Sequence, residues 1–373
     1  MRTSIPAEKD ILIKDGLRLF SLPAALISCS ERSFTQNTNE LRTALSMIRD
    51  SSEVLGLLLE GGHSTVAGRL AGAFRNIGNE IIADDILQTM RSTGYSTREN
   101  NPFKLETPIH INTREQTPYV NRIRLMWQEM RKDVIDIFPA APKPIDSKAY
   151  LKQLADAYTT DAYHSLSIEG YRVNHELIER VRSGSWNPDT NKNDQDHHNA
   201  LAARGYWQAY QVVIKSIKQV LKDANSGQVV EKDHRIWYRE LFIPGVTAGI
   251  IKASDLAGYR NGSVYIRRSK HVPPRPEAVR DMMPVFFELL KNEENAAVRV
   301  VLGHFFFVYI HPFMDGNGRV GRFLMNTMLA SGRYPWLVIP VEQRNNYMSA
   351  LEAASVNQDI KPFAEFLARL VSY

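Results

Sequence analysis

The segment that most limits the fold is an apolar run that stops in a tight polar loop and then resumes. Val300 to Ile310 is almost wholly apolar, and His311-Pro312-Phe313-Met314-Asp315-Gly316-Asn317-Gly318-Arg319-Val320-Gly321-Arg322 follows directly. The run is far short of the ~20 residues that span a bilayer, so it predicts a buried core helix. Pro312 helps to end that helix, and the glycines allow the tight turn that starts the next one near Gly318.

That loop also carries chemistry. A glycine-bearing loop feeding a helix N-terminus makes an anion site, because unpaired N–H groups and the helix dipole point at the ligand. Arg319 and Arg322 add two fixed positive charges suited to bidentate phosphate contacts. Asp315 offers a hard oxygen to Mg²⁺, which usually binds through one or two carboxylates plus phosphates. His311 can titrate near neutrality and take a proton from an attacking hydroxyl. A glycine turn or a helix-start arginine alone is commonplace. Base, metal ligand and phosphate cradle in one short segment form the set that transfer at a phosphate requires.

The rest of the chain reads as mainly α-helical. Residues 1 to about 95 look helical after a short extended start, with one amphipathic pattern from Glu40 to Glu60 and another from Ser64 to Gly78. Gly68 and Gly72, four apart, would let another helix approach closely. The chain turns polar from Thr97 to Thr117, which sets an expected boundary near residue 105 between an N-terminal, mostly helical module (1–105) and the remainder (106–373). Helical pattern resumes from Tyr119 to Ile137. Asp146 is placed to cap a helix running to about Ile168, and Trp186 to His198 is a polar loop before a long helix from Leu201 to Lys222. Arg260-Asn261-Gly262 is a turn signal and Val264-Tyr265-Ile266 a short strand, which predicts a β-hairpin. Helices are expected again over Glu277–Lys291, Glu293–Ile310, about Arg319–Ser331 and Tyr347–Tyr373.

Composition excludes little but sets a frame. The 373 residues can bury a sizeable core, and 43% hydrophobic with 23% charged residues is ordinary for a soluble globular chain. The formal charge of +5 permits nucleotide or nucleic-acid binding without demanding either. The single cysteine, Cys29, leaves no intrachain disulfide framework and fits a reducing cytoplasm. No membrane-spanning stretch is expected, and the charged N-terminus lacks a signal peptide's apolar run.

The segment His311–Arg322 resembles the Fic motif, HxFx(D/E)GNGRxxR, and matches it at every specified position. The resemblance extends over roughly residues 145 to 370, with a core at about 230–371. It implies a Fic-type helical bundle with a small β-hairpin flap, and an Mg²⁺-dependent enzyme that moves AMP from ATP to a Ser, Thr or Tyr hydroxyl of a protein. On that resemblance His311 would be the general base and Asp315 the Mg²⁺ ligand. Gly316, Asn317, Gly318, Arg319 and Arg322 would hold the phosphates, Arg322 the γ-phosphate. Phe313 would anchor the loop in the core, and Tyr347 would contact the adenosine. Val264, Tyr265 and Ile266 would dock the target by strand addition. Gly318 stands where a phosphate-transferring relative typically has lysine.

Ser165-Leu166-Ser167-Ile168-Glu169-Gly170 resembles the family's inhibitory motif, (S/T)xxxE(G/N), within an inhibitory segment of about 148–172. Glu169 would reach Arg322 and take the place the γ-phosphate needs. Other readings stay open at this point: removal of AMP in the reverse direction, an ATP sensor without turnover, or a DNA-binding regulator, for which Arg69 and Arg75 are the available cations. Self-modification and a homodimer are likewise left open. The basic run Arg267, Arg268 and Lys270 is either a solvated hairpin face or a steering surface for an acidic target. Asp189 to Asn193 begins like a calcium loop but has Asp194 and Ala200 at positions that need Gly and Glu, so it is set aside. His197 and His198 are expected to face solvent, and His304 to be a satisfied core histidine.

Overall fold

A computed structural model describes residues 8–14, 16–48, 51–92, 94–103, 117–141, 146–186, 197–251, 259–260 and 262–371. The chain divides into two compact units, Met1–Met126 and Trp127–Tyr373. The expected boundary near 105 falls within 104–116, outside the described residues.

The first unit opens with an antiparallel pair, β1 (Ile11–Lys14) and β2 (Leu17–Phe20), in the register Leu12↔Leu19 and Lys14↔Leu17. Helices α1 (Leu22–Ser28), α2 (Glu31–Gln36), α3 (Thr38–Ser46), α4 (Ser52–Glu60), α5 (Ser64–Asn76) and α6 (Glu80–Ser92) follow. Their apolar stripes meet in a core that includes Phe34, Leu45, Leu58, Leu70, Phe74 and Ile86. Ser21 and Ser30 cap α1 and α2, accepting from Ala24 N and Ser33 N. The pattern from Glu40 to Glu60 is split between α3 and α4. Polar Ser51 interrupts it, and its hydroxyl donates to Asp85 Oδ2 at 3.2 Å. Gly68 and Gly72 do admit a close neighbour, but it is the extended segment 98–100 rather than a helix: Asn100 N donates to Gly68 O at 3.1 Å. Arg69 donates to Cys29 O at 2.7 Å and lies over the Phe34 ring. Arg75 pairs with Asp84 at 2.6 Å and Glu99 at 2.7 Å. Both arginines that could have contacted DNA are therefore paired within their own unit.

Helix α7 (Pro118–Ile137) runs across the division, and the second unit continues with α8 (Ser147–Ile168), α9 (His175–Ser183), α10 (His197–Val220), α11 (Ser226–Thr247), α12 (Pro276–Asn292), α13 (Ala296–Ile310), α14 (Asn317–Ser331), α15 (Arg344–Asn357) and α16 (Lys361–Val371). Asp146 caps α8 as expected, accepting from Lys148 N and Ala149 N at 3.0 and 3.2 Å. One stripe of α8, Tyr150, Leu154, Tyr158, Ala162 and Ser165, is buried, and the 3.6-residue period carries the same face on to Glu169. Helix α13 is buried on nearly every side, as an apolar run with no polar face must be. It packs against α14 through Gly303, which lies beside Leu324 and Met328. Among the described residues no helix is long and apolar enough to cross a membrane.

The hairpin expected around Val264–Ile266 falls partly outside the described residues. Among the described residues, 263–266 are extended with no ladder partner, a turn follows at Arg267–Arg268, and the two-stranded sheet is the one near the N-terminus. Asn261 and residues 252–258, where a pairing strand would have to lie, fall outside the described residues. The loop expected at Trp186–His198 lies largely in 187–196, also outside them.

Candidate active site

The loop between α13 and α14 is held from inside the core. Phe313 is fully buried and stacks face to face on Tyr238, with centroids 3.9 Å apart and planes 2° from parallel. Asn317 turns its side chain back into the loop: Oδ1 accepts from Phe313 N at 2.9 Å and Nδ2 donates to Phe313 O at 2.8 Å. Its amide therefore shapes the loop, and only its backbone is left to contribute to an anion site. Gly316 caps α14 in a left-handed conformation (φ 79°), and a Cβ there would stand 2.8 Å from the Phe242 ring. Glycine is the residue that avoids both penalties.

His311 ends α13, also in the left-handed region (φ 53°, ψ 61°). Its Nδ1 lies 3.3 Å from Val308 O. A carbonyl only accepts, so Nδ1 carries the proton and Nε2 keeps a lone pair. Burial lowers the pKa of this ring to about 4, with the hydrogen bond to Val308 opposing and the charge of Arg260 adding to the fall. The imidazole is thus neutral at physiological pH, the form that can accept a proton.

Two arginines line the other wall. Arg319 is 1% exposed, lies over the Tyr171 and Phe242 rings at 5.1 and 4.9 Å, and reaches Asp315 Oδ2 at 3.3 Å. Arg322 donates through Nε to Ser165 Oγ at 2.9 Å, and through Nη2 to Ser165 O at 3.0 Å and Glu169 Oε1 at 2.7 Å. Arg322 Nη1 and Arg319 Nε are buried and have no acceptor among the described residues. A buried donor without an acceptor is costly, and two such guanidinium donors at one helix start fit an anion with several oxygens. Asp315 is the loop's own carboxylate, its side chain 65% exposed. Among the described residues no cluster of three or more His, Cys, Asp or Glu could hold a metal by itself. This donor set fits a Mg²⁺ whose other ligands are phosphate oxygens and water.

The Glu169–Arg322 contact makes the Ser165–Gly170 segment part of the site. Burial alone would raise the Glu169 pKa, but the charges of Arg322 and Arg319 outweigh it and hold the carboxyl below its ordinary value. Burial likewise works against the Arg322 charge, and the charge of Glu169 more than offsets it. Gly318 makes the contact possible, since a Cβ there would collide with Glu169 Oε1. Arg344 fixes the end of α8 by donating from Nε to Ile168 O at 2.8 Å.

A family model described as the Fic/DOC family matches residues 213–329. Those residues belong to the Fic/DOC family. Among curated proteins, the chain is 30% identical over 296 residues to Protein adenylyltransferase Fic of Drosophila grimshawi, covering 78% of this chain and 55% of that one. The Drosophila virilis protein of the same name is 28% identical over 251 residues, 66% of this chain and 46% of that protein. The chain thus spans about half the length of the curated relatives it matches. Among solved structures, a fragment of Fic-1 from C. elegans is 17% identical with a TM-score of 0.45, covering 94% of this chain and 92% of that one.

The Fic/DOC motif residues come together as a single loop, but Tyr347 takes another place. It is 1% exposed and its hydroxyl lies 2.7 Å from His304 Nε2, in a core with Phe363 and Phe366. It also lies against Arg322, whose charge opposes the rise in the Tyr347 pKa that burial causes. His304 is a core histidine as expected, fully buried, with burial lowering its pKa to about 4, but it is not fully satisfied: Nε2 meets Tyr347, while Nδ1 is buried with no hydrogen-bond partner among the described residues. Tyr265 is 80% exposed, with Val264 and Ile266 half-buried on either side.

Sequence reasoning passed over Arg260, which it used only as part of a turn signal. The side chain is 2% exposed. Its Nε donates to His311 O at 2.7 Å, Nη1 to Gly262 O at 3.1 Å, and Nη2 to Pro274 O, while its backbone N donates to Pro312 O at 2.9 Å. One guanidinium therefore joins both ends of the flap to the backbone of the loop. Tyr171 and Phe242, which sandwich Arg319, were also missed. Nothing local marks such residues; only the folded chain brings them to the motif.

Proposed function

We propose that this chain is a protein adenylyltransferase that transfers AMP from ATP to a Ser, Thr or Tyr hydroxyl of a target protein, or of itself, and that Glu169 restrains it. The observation that carries this reading is His311: a half-buried, neutral imidazole with Nε2 free as a base, on the same loop that leads into two buried arginines with unpaired donors. Its relatives' name, Protein adenylyltransferase Fic, supports the same chemistry.

On this reading the target hydroxyl attacks the α-phosphorus of ATP. The new O–P bond forms as the bond to the bridging oxygen breaks, and pyrophosphate leaves. The hydroxyl proton passes to His311 Nε2. Arg319 and the backbone N–H groups of Gly316, Asn317 and Gly318 stabilise negative charge on the phosphates, and Arg322 binds the γ-phosphate once Glu169 withdraws. Asp315 would hold Mg²⁺, which neutralises charge developing on the phosphate oxygens. A charge-assisted hydrogen bond contributes ~1.5–3 kcal/mol and each ~1.4 kcal/mol is tenfold. The Glu169–Arg322 pair thus accounts for inhibition of about ten- to a hundredfold. A chain with one cysteine fits a cytoplasmic setting.

The test separates adenylyl from phosphoryl transfer. The Glu169→Gly chain, incubated with Mg²⁺ and a lysate, is expected to label protein from α-labelled ATP and not from γ-labelled ATP. Label from the γ-position alone would replace this reading with phosphate transfer.

A further inference from the structure

The buried face of α8 carries a carboxylate among apolar side chains. Asp161 lies between Tyr158 and Ala162 on that face, one helical turn before Ser165 and two before Glu169, and is 5% exposed. Taking a carboxylate out of water is costly unless hydrogen bonds or charges compensate it. Tyr206 of α10, itself fully buried, supplies the hydrogen bond, donating to Asp161 Oδ2 at 2.6 Å. Burial pushes the Asp161 pKa up to about 6, and the Tyr206 bond and, more weakly, the charge of Arg322 oppose that rise. Asp161 is therefore a carboxylate at neutral pH.

The bond ties α8 to α10 one turn away from the contact with Arg322. Arg322 donates through Nε to Ser165 Oγ at 2.9 Å and through Nη2 to Ser165 O at 3.0 Å. Since a guanidinium only donates, the Ser165 hydroxyl keeps its own proton for another acceptor. The Tyr206 oxygen is that neighbour. A carboxylate only accepts, so Asp161 takes the Tyr206 proton and leaves the phenol oxygen to accept in turn. Burial and the Asp161 charge hold the Tyr206 pKa well above its ordinary value, which keeps that proton in place. The order of donation, Arg322 to Ser165 to Tyr206 to Asp161, thus has one direction. The Tyr206 ring also packs against Phe323, the residue after Arg322, with centroids 5.0 Å apart.

None of these contacts involves Glu169. When its carboxylate leaves Nη2, both bonds from Arg322 to Ser165 remain. They keep in place a guanidinium whose Nη1 is buried with no acceptor among the described residues. A buried arginine held by Glu169 alone would be free to turn at the moment a phosphate has to meet it.

We propose that Asp161 and Tyr206 are positioning residues for the γ-phosphate of ATP: through Ser165 they hold the Arg322 guanidinium in place after Glu169 withdraws. The helix that carries the inhibitor then also aims the arginine in the active state. The proposal rests on the adenylyl-transfer reading, in which Arg322 meets the γ-phosphate, while the contact itself is measured as binding.

The experiment measures ATP and ADP binding by calorimetry, with Mg²⁺ and at neutral pH. It uses full chains carrying Glu169→Gly and His311→Ala, the second change to stop turnover, alone or with Asp161→Asn, Tyr206→Phe or both. Each added variant is expected to weaken ATP binding about tenfold, the effect of one hydrogen bond to a charged group. ADP, which has no γ-phosphate, is expected to bind as before and so shows that the chain is folded. The pair together should lose no more than the larger single loss, because both act in one chain of bonds. In Glu169→Gly chains that keep His311, KM for ATP should rise by the same factor with kcat for label from α-labelled ATP little changed. Equal losses for ATP and ADP would mean that Asp161 and Tyr206 only support the fold, and unchanged ATP binding that Arg322 is held without them. Either result would overturn the proposal. A loss confined to ATP, with no label from any chain, would leave the positioning role standing and remove the transferase reading instead.

Discussion

At the residue scale, the account turns on which nitrogen of His311 carries the proton. Val308 O takes the Nδ1 proton, so Nε2 is the basic atom, and burial brings the pKa down to about 4. The unfolded ring takes up its proton near 6.5 and the folded ring only near 4. The folded chain thus loses the stability tied to this group as pH falls from 6.5 toward 4, and the folded base stays neutral down to about pH 4. The acid limb of kcat/KM for AMP transfer is accordingly expected to have its midpoint below 6.5, and a midpoint at or above 6.5 that vanishes in a His311 variant would contradict it. Gly316 gives a second prediction: Gly316→Ala meets both a left-handed backbone and the Phe242 ring, so urea unfolding should register a loss of at least ~1–2 kcal/mol. The residue types at the motif were legible in sequence because all of them lie in one short stretch. Asn317 and Tyr347 were not, because an amide that could meet a phosphate and one that braces a loop look the same in sequence, as do an open tyrosine and a buried one.

At the scale of elements, α8 and the flap approach the α13–α14 loop from separate stretches of sequence. The stripe from Tyr150 to Ser165 was readable from its period, and so was the Asp146 cap, which is why the position of Glu169 at the helix end could be anticipated. The flap was harder. Its turn signal was legible, but residues 263–266 lack a ladder partner among the described residues, and alternation in three residues cannot report pairing. Arg260 is the joint between the flap and the loop. Arg260→Lys keeps the charge but cannot reach the carbonyls of His311, Gly262 and Pro274 together. It is expected to lower kcat for AMP transfer by about a hundredfold, the penalty for a reacting group displaced by about 1 Å, with KM for ATP little changed. An equal rise in KM and no fall in kcat would mean that Arg260 acts on nucleotide binding instead.

At the scale of the whole molecule, the proposed function links folding, nucleotide binding and inhibition through one guanidinium. Arg322 is bonded to Ser165 and Glu169 in this structure and would be bonded to a phosphate in the ATP complex. A ligand that binds only the folded state raises stability by RT ln(1 + [L]/Kd), so at equal ATP and Mg²⁺ the melting temperature of Glu169→Gly should rise more than that of the wild type. Equal shifts would mean that Glu169 does not compete with the nucleotide. The central claim is tested most directly by the initial rate of protein labelling from α-labelled ATP in three chains: wild type, Glu169→Gly, and Glu169→Gly with His311→Ala. The account predicts a rise of about ten- to a hundredfold on removing Glu169 and loss of nearly all label on removing His311 as well. Equal rates in the first two chains, or label that survives without His311, would contradict it.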